Sequence, residues 1–204
     1  VGKVRYVGEP VALVVAETEE AAEEGMLKVT AKYRDLPHVF DPIKAATDNS
    51  VLVHPELETY EHVPFITPFP GTNIANWFRI RRGDVEKAFA ESKYVVEEAV
   101  NCPQIAHGFL EPHCCICKEE LSTGNLTIWS TAQSAFALRE IIATGLGYPL
   151  AKIRVIAPPI GGGFGGKAGM TVEALCLAGA MDPDIKGRPV KLYIPREEVM
   201  LTSW

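Results

Sequence analysis

The sequence predicts a mixed α+β fold, and three observations carry that prediction. Apolar runs of strand length recur along the chain, stretches between them open on helix-capping residues, and glycine or proline marks most of the boundaries. Hydrophobic residues make up 47% of the 204 positions and the mean hydropathy is +0.06, enough for a core without an apolar run long enough to cross a membrane.

In order, Gly8-Glu9-Pro10 turns into the apolar run Val11–Ala16, read as a strand. Thr18 with the acidic turn that follows then opens a helix, because side-chain oxygens and negative charge suit the exposed N–H groups of a helix start. Lys28–Tyr33 alternates as a strand. Residues 49–73 hold Pro55, Pro64, Pro68, Pro70 and Gly71 and read as a linker between a first unit, 1–48, and a second, 74–204. In the second, Ile74–Ile80 and Tyr94–Val100 read as strands around a helix from Gly83 to about Ser92. Then come strand Leu126–Ser130, helix Ser134–Leu146 stopped by Gly147, strand Lys152–Ala157, apolar helix Ala168–Ala180 and strand Pro189–Ile194. The helix-like start at Arg196–Met200 just before the last residue suggests a piece of a longer protein.

The net charge of −6 and a pI near 5.4 argue against nucleic-acid and acidic-membrane partners, which require clustered Lys and Arg. A small-molecule substrate fits better. Five cysteines and no secretory pattern at the start point to the reducing cytoplasm. His113, Cys114, Cys115 and Cys117 lack the paired Cys-x-x-Cys spacing of a zinc finger and read as buried small side chains, so no metal ligand is expected. On a strand, Cys115 and Cys117 would face one side and Cys114 the other.

The strongest local signal is Gly161–Lys167, GGGFGGK, between a strand and a helix. Such a loop can aim several backbone N–H groups at one anion. Its spelling fits the dinucleotide fingerprint and nearly fits the triphosphate loop. Ala168 stands where the triphosphate loop needs Ser or Thr, and Asp182 and Asp184 fall in a loop rather than at the end of the next strand. A tight glycine turn for close packing remains as a purely structural reading.

The surroundings of the loop resemble a known family. Trp129–Phe136 (WSTAQSAF), Leu146–Val155 (LGYPLAKIRV), GGGFGGK, Gly187–Leu192 (GRPVKL) and Arg196-Glu197-Glu198 are similar, segment by segment, to the molybdenum hydroxylases, the xanthine dehydrogenase and aldehyde oxidase family. Gly2–Thr18 resembles the end of that family's hammerhead domain. The resemblance implies that 1–48 is the C-terminal part of a hammerhead α/β domain and 74–204 the N-terminal part of the molybdopterin-binding α/β domain of a large subunit. It also implies a molybdenum–molybdopterin cofactor, including its cytosine dinucleotide form, with 2Fe-2S clusters and FAD on other subunits or domains. The partners implied are the remainder of the large subunit and the iron–sulfur and flavin subunits.

By the same resemblance, Gly162, Gly163, Phe164, Gly165 and Gly166 line the cofactor, with the Gly165 N–H donating to an oxygen ligand of the metal. Family members also carry Gln-x-His-x-x-x-Glu, whose Gln contacts the metal's oxygen. In Pro103–Pro112, His107, Glu111 and Pro112 keep that spacing, but Gln104 is one residue too far from His107. Either a bulge restores Gln104 or the contact is missing. Purine-oxidising members carry Glu where this chain has Ala168, which turns the expectation toward an aldehyde, another N-heterocycle or an acyl-CoA aromatic. The implied reaction hydroxylates an aldehyde or N-heteroaromatic carbon with oxygen from water and passes electrons to iron–sulfur clusters. The family's glutamate base lies far beyond Trp204, so no catalytic residue is assigned and the piece is expected to be inactive alone. A nucleotide-binding module and a non-catalytic scaffold are the competing readings.

Overall fold

The computed structural model describes residues 2–62 and 66–202. The chain divides into two compact units, one of 1–30 with 103–204 and one of 31–102.

The first unit is built on a four-stranded sheet of β1 (Cys114–Glu120), β2 (Asn125–Ser130), β3 (Ile153–Ile156) and β4 (Val190–Tyr193), in the order β3-β2-β1-β4. β1 and β2 form an antiparallel hairpin with Cys117 opposite Ile128, and Gly124 at φ 68° takes the left-handed turn position that favours glycine. β4 pairs antiparallel with the other edge of β1. β3 runs parallel to β2, which demands a crossover, and α4 (Ala135–Leu146) supplies it. The Ser134 hydroxyl caps α4 by accepting from Ala137 N, and Gly147 at φ 59° ends it.

The period of two along each strand decides what is buried. Cys115, Cys117, Leu126, Ile128 and Val190 share the covered face, whereas Trp129 and Tyr193 on the other are partly exposed. Leu138 and Ile142, one helical turn apart on α4, cover that face together with Cys176, Leu177 and Ala180 of α5 (Glu173–Ala180). α6 (Arg196–Thr202) adds Val199. α1 (Glu19–Met26) is capped by Thr18, whose hydroxyl accepts from Ala21 N at 3.2 Å. Arg188 reaches Glu17 with two bonds of 2.6 and 2.5 Å.

The second unit holds α2 (Pro42–Thr47), a 3-10 turn at Leu57–Thr59 and α3 (Val85–Glu91). Asp41 caps α2 by accepting from Ile43 and Lys44 N, and Asp84 caps α3 by accepting from Lys87 N. Asn73 ties the segments together, accepting from Val53 N and donating to Ala45 O and Val51 O. None of the described residues of 31–102 is fully buried.

The α+β class is as expected, and β2, β3, β4, α1, α3 and α4 lie where the sequence placed them. Val11–Ala16, Lys28–Tyr33, Ile74–Ile80 and Tyr94–Val100 form no strand among the described residues. Apolar alternation expresses a preference, but a strand exists only when a neighbour completes its ladder. Leu13 and Val15 pack instead against Gly179 of α5, while Tyr94, Val96 and Val100 are exposed. α5 begins at Glu173 rather than Ala168, because Lys167 and Ala168 are still bonded into the glycine loop and Thr171 N donates to the Glu173 carboxylate. α2 is a helix the strand-and-linker reading did not expect.

Candidate functional site

The loop Gly161–Lys167 follows β3 after four residues and is held at both ends. Glu111 makes a two-point clamp at its start: Glu111 N donates to Gly161 O at 3.1 Å and Gly161 N donates to Glu111 Oε2 at 2.9 Å. The same carboxylate oxygen accepts from Lys167 Nζ at 2.9 Å. Gln133, just after β2, clamps the other end: its Oε1 accepts from Gly165 N at 2.9 Å and Lys167 N at 3.1 Å, and its own N donates to Lys167 O at 2.8 Å.

Beneath the loop lies a buried polar layer. Lys167 is 1% exposed, and its ammonium lies 4.8 Å from the centroid of the fully buried Phe109 ring. Burial pushes the Glu111 carboxyl up, but donation from Lys167 and Gly161 N outweighs it and holds the group below its ordinary value of 4.5. His113 packs edge-on against Phe109 and its Nδ1 lies 3.3 Å from Thr171 Oγ1. Burial, then the Lys167 charge, lowers its pKa below 6.5, so it is neutral at neutral pH. Glu173, 2% exposed, accepts from Ser130 Oγ and Thr171 N.

The loop's shape explains its glycines. Gly162 and Gly165 have φ of 94° and 97°, where an L side chain is strained, and Phe164 itself sits at φ 53°. A Cβ at Gly163 would come within 2.5 Å of Gln133 Oε1, and one at Gly166 within 2.9 Å of the His107 ring. A Cβ at Gly165 would meet only His107 Nε2, at 3.8 Å, so the space before it is open.

Within this frame the amide N–H groups of Gly162, Gly163 and Phe164 have no acceptor among the described residues, although those on either side, Gly161 and Gly165, are both bonded. His107 Nδ1 is buried without a partner as well. Three successive free donors in a loop can converge on an electron-rich group, and the buried His107 Nδ1 is the kind of atom that natural structures seldom leave unmet.

The sequence-derived site residues Gly162, Gly163, Phe164, Gly165 and Gly166 are therefore together in one loop. Gly165 N, expected to face the metal's oxygen, is bonded to Gln133. Gln104 is exposed and makes no hydrogen bond among the described residues, and Pro103–Pro112 contains no strand in which a bulge could form. The His107 ring packs against Gly166 of the loop. Sequence reasoning missed Gln133 as an anchor, although it stands in the WSTAQSAF block.

A family model described as molybdopterin cofactor-binding domain matches residues 66–204. A probable xanthine dehydrogenase subunit of Bacillus subtilis is 31% identical, over 96% of this chain and 24% of its own length. The nicotinate dehydrogenase large molybdopterin subunit of Eubacterium barkeri is 30% identical, over 98% of this chain and 43% of its own. The solved aldehyde oxidoreductase of Desulfovibrio gigas, 24% identical, has the same fold, with a TM-score of 0.71 over 92% of this chain and 19% of its own. The chain thus spans a quarter to under half of the curated relatives named here. Among the described residues no helix is long and apolar enough to cross a membrane. With its glycine loop framed for an electron-rich group and the family match covering the whole of that loop, this chain belongs to the molybdopterin-binding large subunits of the molybdenum hydroxylases.

Proposed function

We propose that this chain forms one wall of the molybdenum–molybdopterin site of a cytoplasmic oxidoreductase that hydroxylates an aldehyde or N-heteroaromatic carbon. The carrying observation is the run of unbonded N–H groups at Gly162, Gly163 and Phe164 in a loop whose flanks are pinned by Glu111 and Gln133. When bound, the cofactor supplies the redox chemistry; the protein supplies placement. Gly162, Gly163 and Phe164 would hold it through their amides, Gly165 would let it approach because the space before it is open, and Gly166 would seat the loop on His107. Because Gln133 already holds Gly165 N, the three preceding amides are the better donors. Gln104 serves the site only if its segment moves.

The proposal extends to domain boundaries at 1–48, 49–73 and 74–204, to a cytosine dinucleotide extension of the pterin, and to 2Fe-2S and FAD partners. The exposed side chains of Phe78, Ile80, Val96 and Val100 in 31–102 and of Leu110 in the other unit suit burial against the remainder of the large subunit. A nucleotide-binding module finds less support, since Ala168 offers no magnesium ligand.

The intact subunit should contain about one molybdenum per chain, and Phe164→Ala should reduce turnover at least about tenfold with its melting temperature unchanged. Molybdenum absent from a well-folded intact subunit, or a fully active Phe164→Ala, would overturn the reading.

A further inference from the structure

The covered face of the sheet carries three cysteines that the glycine loop does not use. Cys115 and Cys117 stand two apart on β1 and so point to one face, and Cys176 meets them from α5. All three are at most 1% exposed, and none is in a disulfide. The Cys115 and Cys117 sulfurs are 3.4 Å apart, and the three sulfurs all lie within 4.8 Å of one another. Core packing explains each thiol singly. It does not explain why sulfurs from a strand and a helix converge on one point.

A metal ion does account for that convergence. Three sulfurs around a trigonal centre at about 2.3 Å, the usual metal–thiolate length, stand about 4 Å from one another, and the observed spacing brackets that value. The cluster contains no histidine or carboxylate among the described residues. Structural zinc sites are almost always four-coordinate, whereas a set of three soft sulfurs in an apolar pocket favours a soft monovalent ion. Without an ion, the Cys176 thiol donates to Val190 O at 3.1 Å.

We propose that Cys115, Cys117 and Cys176 form a binding site for one copper(I) ion, separate from the glycine loop. Two thiols release their protons as the ion enters and the third ligates as a thiol, which leaves one net negative charge and changes no oxidation state. The ion cross-links β1 to α5, the helix that follows the glycine loop, and stiffens the scaffold on which the loop is mounted.

The test uses the intact subunit carrying Cys102→Ser and Cys114→Ser, titrated anaerobically with copper(I) against a colorimetric copper(I) chelator. Cys176→Ala and Cys117→Ala in that background should each take up one equivalent less copper than their parent while keeping its circular dichroism. The copper absorption edge of the parent should report three sulfur neighbours at about 2.3 Å. Equal copper uptake by the parent and either folded variant, nitrogen or oxygen neighbours at the edge, or preferential retention of zinc(II) would each overturn the proposal. Should one variant not fold, the other variant and the edge spectrum still decide.

Discussion

Residues 103–204 and residues 31–102 carry comparable apolar patterns and come to different ends. In the first stretch, apolar side chains from a four-stranded sheet and three helices close over one another, and Phe109, Cys117, Ile128, Leu138 and Cys176 are fully buried. In the second, Phe40, Phe78, Ile80 and Val96 are exposed, and order rests on hydrogen bonds such as the helix caps, the three bonds of Asn73 and the pairing of Thr67 with Asn76 and Trp77. The difference shows that apolar content does not make a core. A core needs a second layer facing the first.

Substitutions can sharpen that contrast, and the largest effect belongs under the glycine loop. Lys167→Ala removes the only counter-charge of Glu111 on the loop and empties a buried site. Because Glu111 is partly exposed, the full cost of breaking a buried pair is discounted to about 2–4 kcal/mol, measurable by urea denaturation. Gln133→Ala leaves the Gly165 and Lys167 amides without their acceptor and should cost about 2 kcal/mol. Amide exchange should accelerate at those two positions; unchanged exchange would show that Gln133 is no anchor.

Acid acts on the same layer. Glu111 and His113 both have lowered pKa values in the folded chain, so the unfolded chain binds more protons. Their contributions are complete above pH 6.5, the ordinary value for histidine, and are lost as the pH falls, His113 first and Glu111 below its ordinary 4.5. Stability measured against pH should therefore fall from about pH 6.5 downward, and Glu111→Gln should flatten the lower part of that profile.

The smaller effects lie in 31–102. Asn73→Ala should cost about 1–2 kcal/mol, because its backbone partners are only partly buried and water replaces some of the lost bonds. Asp84→Ala should cost about 0.5–1 kcal/mol through the lost cap of α3. Neither should change amide exchange at Gly165, since neither shares a hydrogen-bond partner with that amide. A change there from either substitution would break the comparison.

Local chemistry was legible in the sequence wherever neighbours along the chain decide the outcome. Thr18, Asp84 and Ser134 cap helices, Gly147 stops one, and the even spacing of Cys115 and Cys117 puts both on one face. The glycine loop was legible as an anion-binding candidate, and the family resemblance located it. Asp41-Pro42 also carried a helix signal, a cap followed by a proline at the first helical position, but it stood outside the apolar periodicity that guided the reading.

The failures have one cause. Val11–Ala16 and Tyr94–Val100 have strand-like patterns, but a ladder depends on a partner that the segment itself does not specify. Likewise, Gln133 is 32 residues from the Gly165 amide it holds, Lys167 is 56 from Glu111, and Cys176 is 61 from Cys115. By itself the sequence determined the α+β class, the helix ends and the alternation across the sheet, all set by sterics and hydrogen bonds within a few residues. Only the tertiary structure decided which apolar runs are covered, which amides of the loop remain unbonded and which thiols meet, because each of these depends on groups that folding alone brings within a few ångströms.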